Sequence, residues 1–196
     1  AFFQAAAQYL HAQRGRRICV FMPYVDRLRP LGLWYRQLLA ESLGKLDRAG
    51  KAQGLTPTTS LGVTDQHSQL QLYLDGPDDK QYTFLVDPSL QYEGLRVPER
   101  FKSLPAVQPL VGHTTGALLQ AEYRATRETL TRHHRPNRSF ALDTHDPAAI
   151  GALMQLLELE VVAMAELLQV DAFDQPAVEE GKRLAREYLA GTKPQE

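Results

Sequence analysis

GRRICVFMPYVDRLRPLGLWYRQLLAESLG, residues 15–44, contains one complete change of hydrophobic period. Ile18 to Met22 is an unbroken apolar run, too short for a helix, with Gly15 and two arginines before it and Pro23 after it. That predicts a strand buried on both faces. Pro30 then stands where the first turn of a helix tolerates proline, and the helix runs on through WYRQLLAES to about Gly44. A buried strand followed by a helix is the repeating unit of a parallel sheet covered by helices.

The flanking sequence continues the pattern. Upstream, Phe2, Phe3, Ala6, Tyr9 and Leu10 fall at helical spacing and predict a leading or inter-domain helix over residues 1–14. Downstream come a Gly/Thr/Pro loop over 54–62 and a short helix from Thr64 to about Gly76, with Thr64 in the N-cap role. A strand over 82–86 follows. Residues 87–112 hold Pro88, Pro98, Pro105 and Pro109 with little periodicity, and read as a long wrapping connection. A helix from His113 to about His133 and a strand over 139–142 come next. Asp146 and Pro147 open a long helix whose apolar stripe is Ile150, Leu153, Met154, Leu157, Val161, Met164 and Leu168. After an irregular stretch to Pro176 the last helix ends at Gly191, a residue suited to the position just past a C-terminus. The alternation predicts an α/β fold: a three-layer α/β/α sandwich with a parallel sheet and flavodoxin-like layering, in one domain over 1–196.

Composition narrows the function classes. With 196 residues and 43% of them hydrophobic, a core is available and wholesale disorder is excluded. Lys+Arg 22 against Asp+Glu 23 leaves a net charge of -1, which argues against a phosphate-backbone binder, so no nucleic-acid partner is expected. No run of about 18 apolar residues stands out, so no membrane partner is expected either. The lone Cys19 can close no intrachain disulfide and build no thiolate zinc site, which favours a reducing, cytoplasmic setting. It lies within a buried strand and reads as an inert core thiol. The opening AFFQAAAQYL resembles the middle of a helix rather than a signal peptide, and suggests part of a longer polypeptide. The chain has no Walker A, GxGxxG, GxSxG or HExxH motif.

Three polar residues break their local pattern. Glu41 follows Gln37 by four residues, and Trp34 precedes Gln37 by three, so all three project along one flank of their helix. A surface pair with Lys45 at i,i+4 accounts for Glu41; the functional alternative is a general base at the edge of a core. His67 falls in the first turn of its helix, either as a half-buried imidazole satisfied by backbone or as a group that takes and gives a proton. Lys182 stands within the stripe Val178, Gly181, Ala185, Tyr188 and Leu189, where its stem snorkels outward or its cation points into a pocket. The other histidines have no partners at metal-ligand spacing, so no metal site is indicated.

Taken together, these residues lie in three blocks. Trp34-Tyr35-Arg36-Gln37-Leu38 leads to Glu41-Ser42-Leu43-Gly44-Lys45; Thr64-Asp65-Gln66-His67-Ser68-Gln69 follows; and Phe173-Asp174-Gln175-Pro176 leads to Val178-Glu179-Glu180-Gly181-Lys182. In this order they resemble the phosphoglucose (glucose-6-phosphate) isomerase family, whose members carry two sugar-isomerase (SIS) domains, each an α/β sandwich. The resemblance covers nearly the whole chain and places it in the C-terminal half of such an enzyme.

That resemblance implies a glycolytic and gluconeogenic isomerase converting glucose 6-phosphate to fructose 6-phosphate. Glu41 is implied as the base moving a proton between C2 and C1, and His67 as the ring-opening histidine. Lys182 is its implied partner, with Gln37 and Gln175 as contacts to the bound sugar phosphate. No metal or organic cofactor is implied. The implied partners are the N-terminal SIS domain of the same polypeptide and a second subunit, whose histidine completes the site in a homodimer. The family's Ser/Thr-rich phosphate loop and Gly-Gly-Arg segment are missing, since Thr56-Pro57-Thr58-Thr59-Ser60 lies in the wrong place for the former. The chain alone is therefore expected to be inactive. The competing reading is a non-catalytic phosphosugar-binding SIS module.

Overall fold

The period change at residues 15–44 becomes a strand and a helix that pack on each other. In the computed structural model, which describes residues 1–191, α1 (Phe2–Gln13) leads into β1 (Ile18–Pro23), and α2 (Arg29–Leu43) follows with Pro30 at its second position. Then come β2 (Thr56–Thr59), α3 (Thr64–Asp75), β3 (Lys80–Val86), α4 (Thr115–Arg132), β4 (Asn137–Ala141), α5 (Pro147–Leu168) and α6 (Val178–Leu189). Among the described residues the strands form a four-stranded sheet in the order β2-β1-β3-β4, with every pairing parallel. Val20 stands opposite both Thr58 and Tyr82, and Tyr82 opposite Asn137.

Alternation along the two central strands sorts the side chains into two cores. Cys19, Phe21 and Leu85 face α1, α2 and α5, joining Tyr35, Leu39, Leu43, Leu157, Met164 and Ala165. Val20, Met22, Tyr82, Phe84 and Val86 face the other way, toward Tyr73 of α3 and Tyr123 and Leu130 of α4. The expected three-layer sandwich is thus the observed one. Each fully buried leucine, such as Leu39, Leu43 or Leu157, contributes about 2 kcal/mol of apolar burial. Burial pushes the Cys19 thiol up to about 12, so it stays protonated, as an inert core thiol should. The expected leading helix α1 packs on α5 and gives Ala5 and Ala12 to the first core.

Several local expectations are corrected. The stretch expected as a loop over 54–62 contains the edge strand β2, built by the β-branched Thr56, Thr58 and Thr59; Pro57 is tolerated because an edge strand has one unpaired side. Gly54 precedes it at φ +136, and a Cβ there would lie 3.0 Å from the Gly44 Cα, so both the conformation and the close approach call for glycine. Thr64 is the first residue of α3 rather than its cap; Val63 holds the cap position without a side-chain bond. Asp65 instead turns back to accept the Leu61 N–H at 2.6 Å. The wrapping connection carries three short 3₁₀ turns, at Pro88–Tyr92, Glu99–Phe101 and Gln108–Leu110.

Helix α5 is 22 residues long and contains an 18-residue window of mean hydropathy 1.7, long and apolar enough by length and composition alone to cross a membrane. Here its stripe from Leu153 to Leu168 is core against the sheet and α2. Asp146 caps it as expected, accepting from the Ala149 N–H at 2.8 Å. Gly191 adopts φ +71 just past the C-cap Ala190 of α6, again as expected.

Candidate active site

Helix α2 buries Leu31, Tyr35, Leu39 and Leu43, which leaves Gln37 and Glu41 on the flank that faces outward. The i,i+4 spacing brings them together: Gln37 Nε2 donates to Glu41 Oε1 at 3.1 Å. The second carboxylate oxygen is taken from far along the chain, by Gln175 Nε2 donating to Glu41 Oε2 at 2.8 Å. Two amide donors, one from each end of the sequence, therefore fork a single carboxylate. Such an arrangement fixes the carboxylate in one orientation, as a proton carrier requires. A shallow depression of ≈ 730 Å³, lined by Pro30, Trp34, Arg36, Gln37, Glu41 and Pro57, opens beside it. Glu41 is exposed on this chain, not held in the partly dry pocket that proton transfer from carbon favours.

Lys45 does not pair with Glu41. Its Nζ reaches the Asp174 carboxylate at 2.8 Å and donates to the carbonyls of Asp171 and Asp174. The surface i,i+4 pair offered by spacing is corrected by these long-range partners, which present both charge and dipoles to the ammonium. Sequence reading gave Lys45 no role of its own. Its signal was its place directly after the α2 terminus, where a cation is favoured, but its partners lie far along the chain, at 171 and 174.

His67 lies in the first turn of α3, with its ring exposed. Because α3 contributes to the second core and α2 to the first, His67 and Glu41 stand on opposite faces of the sheet. The turn that carries His67 is pinned by its neighbour: Tyr24 Oη donates to Gln66 Oε1 at 2.6 Å, and Gln66 Nε2 donates to Glu122 Oε2 at 2.7 Å. Lys182 sits on α6, which buries no residue in this chain, and its Nζ pairs with Glu179 at 2.7 Å. The apolar surroundings expected for Lys182 are absent here, since Val178, Tyr188 and Leu189 are exposed too. The chain thus unites Gln37, Glu41 and Gln175, while His67 lies on the other face of the sheet and Lys182 pairs with Glu179.

A buried ion pair also escaped sequence reading. Arg138 of β4 makes two bonds to Glu160 of α5, at 2.8 and 2.7 Å, donates to Thr83 Oγ1 at 2.9 Å and approaches Tyr35 Oη at 3.4 Å. Glu160 is fully buried. It follows Leu157 by three residues, on the apolar stripe, and a carboxylate at that spacing was the available signal.

Comparison with known proteins bears on the family of the chain. The model of the family described as phosphoglucose isomerase matches residues 3–195. A glucose-6-phosphate isomerase of Carboxydothermus hydrogenoformans is 42% identical over 91% of this chain and 39% of its own length. One from Thermus thermophilus is 43% identical over 94% of this chain and 44% of its own length. A crystal structure described as a hypothetical protein, also from Thermus thermophilus, superposes with a TM-score of 0.86 at 41% identity, covering 95% of this chain and 44% of that one. A glucose-6-phosphate isomerase structure from Chlamydia trachomatis, at 20% identity and a TM-score of 0.78, shares the fold. The chain spans about two fifths of the length of these relatives. Matched along nearly all of its residues, and at this level of identity, the chain belongs to the phosphoglucose isomerase family.

Proposed function

We propose that this chain is the C-terminal SIS domain of a cytoplasmic glucose-6-phosphate isomerase, active as a homodimer and incomplete by itself. The fork of Gln37 and Gln175 on Glu41 is the observation that carries the reading. A carboxylate oriented by two neutral donors remains free to take a proton from carbon and return it. In the open-chain aldose Glu41 removes the C2 proton, and the electrons of that bond form the C1–C2 double bond while O1 gathers the negative charge. The proton on O2 passes to O1, the C2 carbonyl forms, and the protonated Glu41 delivers its proton to C1. One carboxylate serves both carbons because they are adjacent and the proton stays on one face of the enediolate.

Ring opening needs a separate acid and base, assigned to His67 and Lys182. His67 faces away from Glu41 of its own chain, which favours a site that takes this histidine from a second subunit. The exposed Lys182 then serves the sugar oxygens once the second domain covers α6. Phosphate binding and the cation facing the enediolate are left to the N-terminal SIS domain, which would also dry the depression beside Glu41.

The test is Glu41→Gln in the full polypeptide. Isomerisation and exchange of the C2 proton with solvent should fall at least about 10³-fold, with binding of the sugar phosphate changed by less than about threefold. Normal C2 exchange in that variant would remove Glu41 from the mechanism. The 196-residue chain alone should show no turnover.

A further inference from the structure

Gln175 reaches Glu41 from a segment with little structure of its own. Helix α5 ends at Leu168 with Gln169 in the left-handed conformation, and residues 171–177 form only turns before α6 begins. Within the segment one short-range bond is present, the Phe173 N–H to Asp171 Oδ1 at 2.8 Å, and Phe173 is 84% exposed. Burial of Ala172 against the first core is modest. The strong anchor is Lys45. An ammonium has three N–H donors, and the Lys45 Nζ faces three acceptors on this segment: the Asp171 carbonyl, the Asp174 carbonyl and the Asp174 carboxylate. The lysine side chain is 8% exposed, while the Asp174 side chain is 53% exposed. A lysine so buried against carbonyls is spent on holding backbone rather than on a surface ion pair.

The lysine is itself held in place. It follows the α2 C-cap Gly44, its N–H bonds to the Leu43 carbonyl at 3.0 Å, and its carbonyl accepts from the Gln53 N–H at 2.7 Å. It stands one helical turn beyond Glu41 at the same end of α2. The last turn of α2 and the residue just past its cap therefore present both the carboxylate and the cation that ties down the residue touching that carboxylate. Resting on the reading of Glu41 as the proton-transfer base, we propose that Lys45 is a positioning residue for isomerisation: it clips residues 171–174 to the end of α2 so that Gln175 stays docked on Glu41 Oε2.

The experiment is a double-mutant cycle in the full polypeptide, with kcat and KM measured separately. Lys45→Met should lower kcat about tenfold with KM moved by less than about threefold. Gln175→Leu should lower kcat to a similar extent, and the double variant should be no slower than the slower single one, because the lysine acts through the glutamine. A merely structural lysine would instead give losses that multiply. Asp174→Asn covers the case in which Lys45→Met does not fold; it removes one arm of the clip at an exposed site and should cost kcat about threefold, again masked by Gln175→Leu. Multiplying losses, or an unchanged kcat in Asp174→Asn and Lys45→Met, would overturn the clip. Glu41→Gln measured alongside separates the two ideas: if that variant turns over normally the base assignment fails with the clip, whereas an inactive Glu41→Gln beside multiplying Lys45 and Gln175 losses overturns the clip alone.

Discussion

Asp78 shows how one side chain can join elements that sequence alone leaves separate. It lies in the turn between α3 and β3, and it accepts from Arg16 Nε at 2.9 Å and Nη2 at 2.5 Å. Arg135 Nη1 approaches it at 3.0 Å and the same guanidinium donates to the Gly76 carbonyl at 2.9 Å. Arg16 belongs to the turn before β1 and Arg135 to the turn before β4, so a single carboxylate staples the three turns that deliver the chain into neighbouring strands. The Arg16 hydrogen bonds, with Arg135 adding to them, hold the Asp78 carboxyl at about 2, below the usual carboxylate range. A lowered folded-state value means that this stabilisation is complete above the unfolded value, near 3.8, and is lost as pH falls toward about 2. Asp78→Asn should therefore lower the urea midpoint at neutral pH, by a stability difference under about 1 kcal/mol because the group is 44% exposed. The gap to the unsubstituted protein should shrink between about pH 5 and about pH 2. A gap that does not change with pH would assign the effect to packing.

At the scale of elements, the pair Arg138–Glu160 fastens β4 to α5, with Thr83 of β3 and Tyr35 of α2 around it. Glu160 carries a charge into a fully buried position, and its desolvation is offset only while the guanidinium is present. Glu160→Leu should thus cost about 3 kcal/mol by stranding Arg138, whereas Arg138→Met combined with Glu160→Leu should recover most of that loss. Chemical unfolding of the two singles and the double checks this; additive costs would mean that the pair is not coupled. The amphipathic period of α6 was legible, but among the described residues none of α6 is buried, so the period named a helix and not its partner. Edge strand β2 shows the reverse: its threonines and Pro57 read as a loop because an edge strand needs no apolar alternation, and only pairing with β1 makes it a strand.

At the scale of the molecule, the sheet itself separates the candidate site residues. With Glu41 on the α2 face and His67 on the α3 face, the proposed site that uses both is one that draws them from two copies. If so, full-length Glu41→Gln and His67→Asn subunits, each inactive alone, should regain activity when unfolded and refolded together. Each mixed dimer then holds one site with both native groups, and random mixing should return about a quarter of the unsubstituted activity. No recovery in verified mixed dimers would place both groups of a site within one chain.

What the sequence determined by itself was local and periodic. A continuous apolar run between Gly15 and Pro23, helical spacing after Pro30 and a capped, striped α5 were enough to specify an α/β/α sandwich, and i,i+4 spacing was enough to set Gln37 beside Glu41. The three motif blocks were enough to mark the family. Tertiary structure alone decided that Gln175 closes the fork from 134 residues away, that Lys45 prefers Asp171 and Asp174 to Glu41, that Glu160 is buried with Arg138, and that His67 faces away. The reason is range: period and spacing describe neighbours within a turn or a strand, whereas these contacts depend on which face of the sheet each crossover covers and where each segment returns to it.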